Sequence, residues 1–148
     1  MSAGEITSIC ISGAKHVKKE PVDEALLIEE YGIEGDAHAG FAHRQVSLLA
    51  DESIEEVRAQ GLEDLKPGDF AENMVTRGVN LRSLNIGDRL GLGERVVLEV
   101  TQIGKECHDH CSIFERLGDC LMPREGVFTR VVKGGRVAPG DEIRIMER

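Results

Sequence analysis

The apolar residues of this chain occur in short runs separated by Gly, Pro and Asp clusters. Aromatic residues make up only 3% of the 148 residues and Trp is absent, so Val, Ile and Leu must fill the core. Short runs bounded by turn formers predict strands. The predicted strands are Ile6–Ile11, Ala25–Ile28, Gln45–Leu49, Asn73–Val75, Val96–Ile103, Val127–Val132 and Glu142–Met146. Their spacing favours a mainly β fold, a closed or partly open β-barrel of short strands, over alternating strands and helices.

A Gly-Asp pair recurs at three places just ahead of an apolar strand residue, namely Gly68-Asp69, Gly87-Asp88 and Gly140-Asp141. Glycine supplies a positive φ, and an Asp side chain bonds the neighbouring backbone, so each pair predicts a turn that leads into a strand. The alternative is a carboxylate cluster for Mg²⁺ or general-base chemistry. Turn chemistry already explains the residue types, so we expect a structural role.

Two or so short helices complete the predicted fold. The first covers Asp51–Gln60, where Ser53 and Glu56 have capping-box spacing and Gly61 follows as a terminator. The second covers Ser112–Leu117. The chain length predicts one domain over residues 1–148.

Composition excludes several classes of function. The chain has 27 acidic and 18 basic residues and a formal charge of -9, which argues against sequence-independent binding to nucleic acid. No apolar run approaches the roughly 20 residues that span a bilayer. The N-terminal residues lack a basic region followed by an apolar one, so we expect no secretory signal and a cytoplasmic location. Four cysteines are too few for a disulfide scaffold, and free thiols, metal ligands or nucleophiles are expected instead.

Three of the four cysteines lie close together, in the stretch Cys107–Cys111 and at Cys120. One interpretation is a thiolate that binds a thiophilic metal or carries sulfur as a persulfide. Another is structural zinc held by the three thiols and one His. A third treats the cysteines as small buried hydrophobes, which Cys10 and Cys120 favour through their apolar surroundings. Cys107 differs, because Lys105 precedes it and a predicted helix start follows, and both favour a thiolate.

Basic and polar residues form two further candidate groups. Asp36 and His38 are two residues apart, so the carboxylate could orient the imidazole, and Arg44 is a candidate for bidentate phosphate capture. The second group consists of Arg124, Arg130, Lys133 and Arg136. Glycines lie between these residues along the chain, and the combination suits a phosphorylated or oxyanion ligand. The alternative for the first group is a solvated turn, and the alternative for the second group is an exposed hairpin.

In their order and spacing these stretches resemble the MOSC family, named for the C-terminal domain of molybdenum cofactor sulfurases. The resemblance is strongest over residues 32–145. The stretches that carry it are Gly35-Asp36-x-His38, Arg44–Leu48, Pro67-Gly68-x-Phe70-x-Glu72-Asn73, Gly78-Val79-x-Leu81, Leu84–Leu90, Leu98–Gln102, Cys107, Arg124-x-Gly126, Gly134-Gly135 and Gly140-Asp141-x-Ile143. The stretch from Gly104 to Gly126 is similar to bacterial stand-alone members.

The resemblance implies a barrel similar to that of pyruvate kinase, and a molybdenum cofactor (molybdopterin) or its pterin precursor that is bound or transient. It implies that Cys107 is the catalytic thiolate that carries sulfur or ligates molybdenum. The expected cofactor-binding residues are Asp36, His38, Arg44, Asn73, Lys105, Arg124, Arg130 and Arg136.

The chain contains no pyridoxal-phosphate desulfurase domain, so a cysteine desulfurase or other sulfur donor is expected in trans. The other expected partners are proteins of molybdenum cofactor biosynthesis or molybdoenzymes. Two alternatives remain open: a non-catalytic zinc- or partner-binding module that uses Cys107, Cys111 and Cys120, and a small molybdenum-dependent reductase of N-hydroxylated compounds. In the sulfur-carrying role, Cys111 and Cys120 could resolve a persulfide on Cys107 by disulfide exchange.

Overall fold

The computed structural model describes residues 3–13, 19–37, 39–40, 44–59, 61, 65–70, 72–104 and 125–146. The strands are β1 (Ala3–Ile11), β2 (Glu20–Pro21), β3 (Ala25–Ile28), β4 (Gly32–Ile33), β5 (Val46–Ala50), β6 (Met74–Arg77), β7 (Arg89–Leu92), β8 (Val96–Ile103), β9 (Val127–Lys133), β10 (Gly135–Val137) and β11 (Glu142–Ile145). One α-helix, α1 (Asp51–Arg58), and one 3₁₀ helix, Leu81–Ser83, are the helices of these residues.

Seven strands form a closed barrel in the order β11-β7-β8-β9-β5-β6-β1, and β1 pairs with β11 to close it. Every pairing in the ring is antiparallel except that of β5 with β6. Strand β2 extends β1, and β10, β3 and β4 form a separate three-stranded sheet. The predicted mainly β barrel is therefore confirmed, and it is closed.

The barrel has a core inside and a second core against its outer wall. Along β8 the buried side chains alternate, and Val96, Leu98 and Val100 enter the inner core. Strand β5 is buried on both faces because α1 covers its outer side. The outer core consists of Leu49, Ile54, Val57, Leu65, Phe70, Val75 and Phe128. Burial on two faces explains why β5 is apolar at every position except Ser47.

Helix α1 begins where it was predicted, but its predicted capping box is wrong. The N-cap is Ala50, with no side-chain cap. Ser53 is buried and donates instead to Glu125 Oε1 at 2.8 Å, so a tertiary partner replaces the local one. Past the end of the helix, the Gly61 N–H donates to the Arg58 carbonyl at 3.0 Å, in agreement with its role as terminator. The second predicted helix, Ser112–Leu117, lies outside the described residues.

The three Gly-Asp turns are confirmed as one repeated structure. Their glycines have φ values of 90° at Gly68, 96° at Gly87 and 98° at Gly140. Each Asp carboxylate accepts the backbone N–H three residues earlier at 2.9 Å, as shown by the pairs Asp69 with Lys66, Asp88 with Asn85 and Asp141 with Ala138. The carboxylates are thus used within their own turns.

None of the helices in the described ranges is long and apolar enough to cross a membrane.

Candidate functional site

Strand β8 leaves the barrel at Gly104, directly before residues 105–124, which lie outside the described residues. Gly104 has a φ of 69°, a left-handed conformation that favours glycine. Its N–H donates to the Gly126 carbonyl at 2.7 Å. A backbone hydrogen bond therefore joins Gly104, directly before this segment, to Gly126, two residues after its end.

Arg44 lies at the same point of the barrel. Its Nε donates to Gln102 Oε1 at 3.1 Å, and Gln102 Nε2 donates to the Gly104 carbonyl at 2.7 Å. The guanidinium carbon is 5.5 Å from the centre of the Phe128 ring, within the range of a cation–π contact. Among the residues that the structure describes, neither Arg44 Nη1 nor Nη2 has a hydrogen-bond partner. Arg44 is thus held by described residues at its Nε edge and at one face of the guanidinium, and its two terminal nitrogens make no hydrogen bond to the described residues.

Asp36 is buried in an ion pair that the sequence did not predict. Lys19 Nζ is 2.6 Å from Asp36 Oδ1, and both side chains are fully buried. The Ser12 N–H donates to the same oxygen at 3.1 Å. In this arrangement the carboxylate compensates a buried ammonium group, which would be costly to leave unpaired. The predicted partner His38 lies outside the described residues.

Asn73 joins three strands of the barrel. Its Oδ1 accepts the Ser47 N–H at 3.0 Å, and its Nδ2 donates to the Cys10 carbonyl at 3.0 Å. Its own N–H donates to Ser47 Oγ at 3.0 Å. The side chain is 1% exposed, and these contacts place it as a link between β1, β5 and β6.

Cys10 is confirmed as a small buried hydrophobe. Its side chain has no exposed surface, and burial, together with the nearby carboxylate of Glu72, raises the pKa of the thiol to about 12. The thiol therefore stays protonated at neutral pH, which excludes the nucleophilic chemistry of a thiolate.

Glu72 is a buried acid that sequence analysis missed. Its carboxylate accepts the Gly68 N–H at 2.6 Å and the Phe70 N–H at 3.0 Å. Burial raises the pKa of this carboxyl group to about 7, against the effect of the two backbone donors. Its sequence signal is its place in the stretch Pro67–Asn73, which carries the family resemblance but was not taken as part of the site.

Two further basic candidates, Arg130 and Arg136, have acidic partners of their own. Arg130 pairs with Glu30 and, at 3.2 Å, with Glu99. Arg136 pairs with Glu24 at 2.8 Å and lines a cavity of about 180 Å³ between the barrel and the small sheet. The structure therefore holds Arg44, Arg130 and Arg136 in separate contacts, and the cofactor-binding roles of these residues stay predictions.

Another cavity, of about 230 Å³, lies between α1 and strands β1 and β6. Asp51 bridges the two arginines that line it, at 2.7 Å from Arg77 and 3.7 Å from Arg58. The guanidinium charges are thus already engaged with a carboxylate.

The other predicted site residues lie outside the described residues: His38, Lys105, Cys107, Cys111, Cys120 and Arg124. Within the ranges that are described, no three His, Cys, Asp or Glu side chains are grouped to hold a metal ion. The molybdenum ligand and the alternative zinc site remain predictions.

The family profile described as the MOSC domain matches residues 35–144 of this chain. The chain belongs to the MOSC domain family. This confirms the resemblance noted in the sequence, and MOSC domains are associated with proteins related to the molybdenum cofactor. A Gibberella moniliformis protein named "Reductase" is 30% identical over 163 residues. The alignment covers 98% of this MOSC chain and 27% of that protein, so the chain spans about a quarter of its length.

Solved structures show the same fold at low sequence identity. The YuaD protein of Bacillus subtilis is 21% identical with a TM-score of 0.76, and the match covers 97% of this MOSC chain and 95% of YuaD. YiiM of Geobacillus stearothermophilus is 20% identical with a TM-score of 0.74, over 98% of this chain and 76% of YiiM. YiiM of Escherichia coli is 20% identical with a TM-score of 0.68, over 97% of this chain and 70% of YiiM.

The residues of this MOSC domain fit a molybdenum cofactor at one described point. Such a cofactor carries an anionic phosphate, and the terminal nitrogens of Arg44, which bond to no described residue, would offer two parallel donors suited to it. A soft sulfur ligand for the metal would come from Cys107.

Proposed function

We propose that this MOSC domain binds the molybdenum cofactor or its pterin precursor and carries sulfur on the thiolate of Cys107. Arg44 receives the anionic group of the ligand. When bound, the cofactor supplies a metal centre that accepts sulfur and oxygen ligands. The chain itself contributes the Arg44 cation and the Cys107 thiolate.

The state of Arg44 is the observation that carries this proposal. Arginines 130 and 136 are paired with carboxylates, whereas Arg44 contacts a neutral amide and an aromatic ring. A neutral partner positions the guanidinium without compensating its charge. Among the residues that the structure describes, no carboxylate pairs with Arg44, so within this part of the chain an anion that reaches Arg44 meets a positive charge that no ion pair offsets.

Chain connectivity supports the role of Cys107. Gln102, which contacts Arg44, precedes Cys107 by five residues, and Gly104 precedes it by three. A cation near a thiol lowers its pKa and increases the thiolate fraction. Cys10, the cysteine that lies within the described residues, is buried with a raised thiol pKa and cannot take this role.

The sulfur-carrying step is a thiol exchange. The Cys107 thiolate attacks the terminal sulfur of a donor persulfide, a new S–S bond forms on Cys107, and the donor cysteine leaves as a thiolate. No electrons are gained or lost overall, because the transferred sulfur keeps its oxidation state. Arg44 stabilises the negative charge of the thiolate before the attack and of the persulfide after it.

The test uses a cysteine desulfurase with cysteine as sulfur source, and molybdenum cofactor released from a molybdoenzyme. Peptide mass spectrometry measures the sulfur added to Cys107, and elemental analysis measures the molybdenum retained after gel filtration. We expect Cys107→Ser to lose both signals and Cys10→Ala, the matched control, to keep them. We expect Arg44→Gln to weaken molybdenum retention about tenfold, the effect of one lost charge-assisted contact of about 1.4 kcal/mol. Wild-type signals in Cys107→Ser would contradict the proposal.

A second candidate function follows from the relative named "Reductase". In this role the MOSC domain holds the cofactor for the reduction of N-hydroxylated compounds. It predicts turnover of such a compound, here benzamidoxime, by loaded protein with dithionite as electron donor. Sulfur loading without any turnover would favour the first function, and turnover that survives Cys107→Ser would contradict both.

A further inference from the structure

Two successive residues of β1 line the same cavity, the one of about 230 Å³ between α1 and the barrel. In an unbroken strand, neighbouring side chains point to opposite faces of the sheet. Here the register of β1 with β6 shifts between Ile6 and Ser8, so a β-bulge adds one residue to β1, and both Thr7 and Ser8 line the cavity. Bulges re-aim side chains and are over-represented beside active sites. This bulge brings two hydroxyl groups to one wall of the cavity.

The hydroxyl group of Ser8 is buried without a partner. Ser8 is 8% exposed, and its Oγ makes no hydrogen bond to any residue that the structure describes. Thr7 Oγ1, in contrast, donates to the Val75 carbonyl at 3.1 Å. A buried hydroxyl that lacks a partner lowers the stability of the folded state. Because a serine hydroxyl can turn between staggered rotamers, a ligand in the cavity can supply the hydrogen bond that Ser8 lacks.

Two arginines bring positive charge to the cavity. Helix α1 contributes Asp51 and Arg58, and β6 contributes Arg77. Asp51 Oδ2 accepts from Arg77 Nε at 3.2 Å and from Nη2 at 2.7 Å, and Arg77 Nη1 makes no hydrogen bond to the described residues. Glu55, which also pairs with Arg58, is exposed to water and lies outside the lining. Two guanidinium groups and one carboxylate therefore line the cavity, and one negative charge on a ligand would balance them.

The remaining side chains of the lining are apolar, namely Ile54, Pro67 and Val75. An apolar cavity of about 150 Å³ is large enough to bind benzene, so a cavity of about 230 Å³ has room for a ring or a short carbon chain. An inorganic anion would gain nothing from such a wall, whereas a carbon skeleton is stabilised when its apolar surface leaves water. The lining therefore suits an organic acid with a small apolar body.

We propose that this cavity is a binding site for a small monocarboxylic acid. The carboxylate accepts hydrogen bonds from the Ser8 hydroxyl and from Arg77 Nη1, and the apolar body packs against Ile54 and Val75. The site shares no residue with the proposed function, so its failure would leave that function standing.

The test titrates the full chain with benzoate and follows the backbone amide resonances by NMR. We expect saturation with a Kd of about 0.1 to 1 mM, which is typical of a ligand of this size. The largest shifts should occur at Thr7, Ser8 and Ile54. Acetate has the same charge without the apolar body and should bind about tenfold more weakly. Inorganic phosphate should also bind more weakly than benzoate.

Two variants remove the proposed contacts. Ser8→Ala deletes the hydroxyl group and Arg77→Gln deletes the cation, and each should weaken benzoate binding about tenfold. Thermal melts establish that each variant is folded. Because Ser8→Ala removes an unsatisfied hydroxyl group, it should melt no lower than the wild type.

Each variant has a matched control. Thr76 Oγ1 is also buried without a partner among the described residues, but Thr76 points to the opposite face of β6 from Val75 and Arg77, which line the cavity. Thr76→Val therefore controls for the loss of a buried hydroxyl group. Arg95→Gln, at an exposed position, controls for the loss of one positive charge. Both controls should bind benzoate with the affinity of the wild type.

The other outcomes count against the site. Absence of saturation well above the expected Kd overturns it, and so do shifts that are largest outside the cavity lining. Wild-type affinity in Ser8→Ala also overturns it. Equal weakening in Ser8→Ala and Thr76→Val does the same, because it would indicate loosened packing. Acetate or phosphate that binds as tightly as benzoate overturns the assignment to an acid with an apolar body.

Discussion

Glu72 is expected to make the stability of this domain fall as the pH rises. The carboxyl group is fully buried, and burial raises its pKa from 4.5 to about 7. In the unfolded chain the group is exposed to water, so between these two values the folded state binds a proton that the unfolded state has released. The contribution of this proton binding to the free energy of unfolding is complete below pH 4.5 and is lost as the pH rises through about 7. One unit of pKa difference corresponds to about 1.4 kcal/mol. The difference between the pKa values of Glu72 in the unfolded and folded states therefore lowers the free energy of unfolding by about 2 to 3 kcal/mol between pH 5 and pH 8.

The assay is urea unfolding of the wild type and of Glu72→Gln at intervals between pH 5 and pH 8. The amide cannot ionise, so the free energy of unfolding of the wild type, minus that of the variant, should fall by about 2 to 3 kcal/mol over this range. The amide places an NH₂ group opposite one of the two backbone donors, Gly68 or Phe70, and this cost is independent of pH. Glu29→Gln, at an exposed position, controls for the loss of one negative charge. Parallel stability curves for the wild type and Glu72→Gln would refute the reasoning.

Three further predictions concern stability. Lys19→Met and Asp36→Asn should each lower the free energy of unfolding by about 3 to 5 kcal/mol, because each removes the opposite charge that lies 2.6 Å from a fully buried ionic group; in urea unfolding, the double variant should lose much less than the sum, and strict additivity would show that the pair is not coupled. Gly68→Ala should lower the melting temperature far more than Gly140→Ala, although both glycines have a positive φ. An added Cβ at Gly68 would lie 1.8 Å from the Lys19 carbonyl oxygen, whereas at Gly140 it would meet nothing within 4 Å. The left-handed strain alone costs about 1 to 2 kcal/mol, so equal losses in these two variants would exclude the clash. Glu99→Gln removes the carboxylate between Arg89 and Arg130 and should cost about 1 kcal/mol or less; a loss that does not shrink at high salt would contradict a surface ion network.

Local patterns predicted the strands whose hydrophobic residues are consecutive or alternating. Strands β3 and β8 have the predicted limits, and β1, β5, β6, β9 and β11 differ by a few residues at their ends. Strand β7 was indicated only by the Gly87-Asp88 turn that leads into it, and no limits were predicted for it, because it is short and contains Gly91. Strands β2, β4 and β10 have two or three residues each and carry no periodic signal.

The candidate site was predictable in its residue types and not in its contacts. Arg44 was identified from its type and its place before an apolar run, but its approach to Gln102 depends on the pairing of β5 with β9 and of β9 with β8. Lys19 and Glu72 were missed because charged residues are expected at the surface, and their burial depends on partners and backbone donors that only the fold supplies. Ser53 shows the same limit, since Glu125, 72 residues away, replaced its local capping partner.

The ladder between Ala3–Glu5 and Glu142–Arg144 connects the strands that are most distant along the chain. A ribosome delivers β11 after all the other strands, so the ring cannot be sealed co-translationally before that strand emerges. Until then β1 and β7 each present an unpaired row of backbone groups to the cell, and such rows are templates for association with other chains. Slow synthesis of the segment that contains β11 should therefore increase aggregation of this protein, although it changes no residue of the fold.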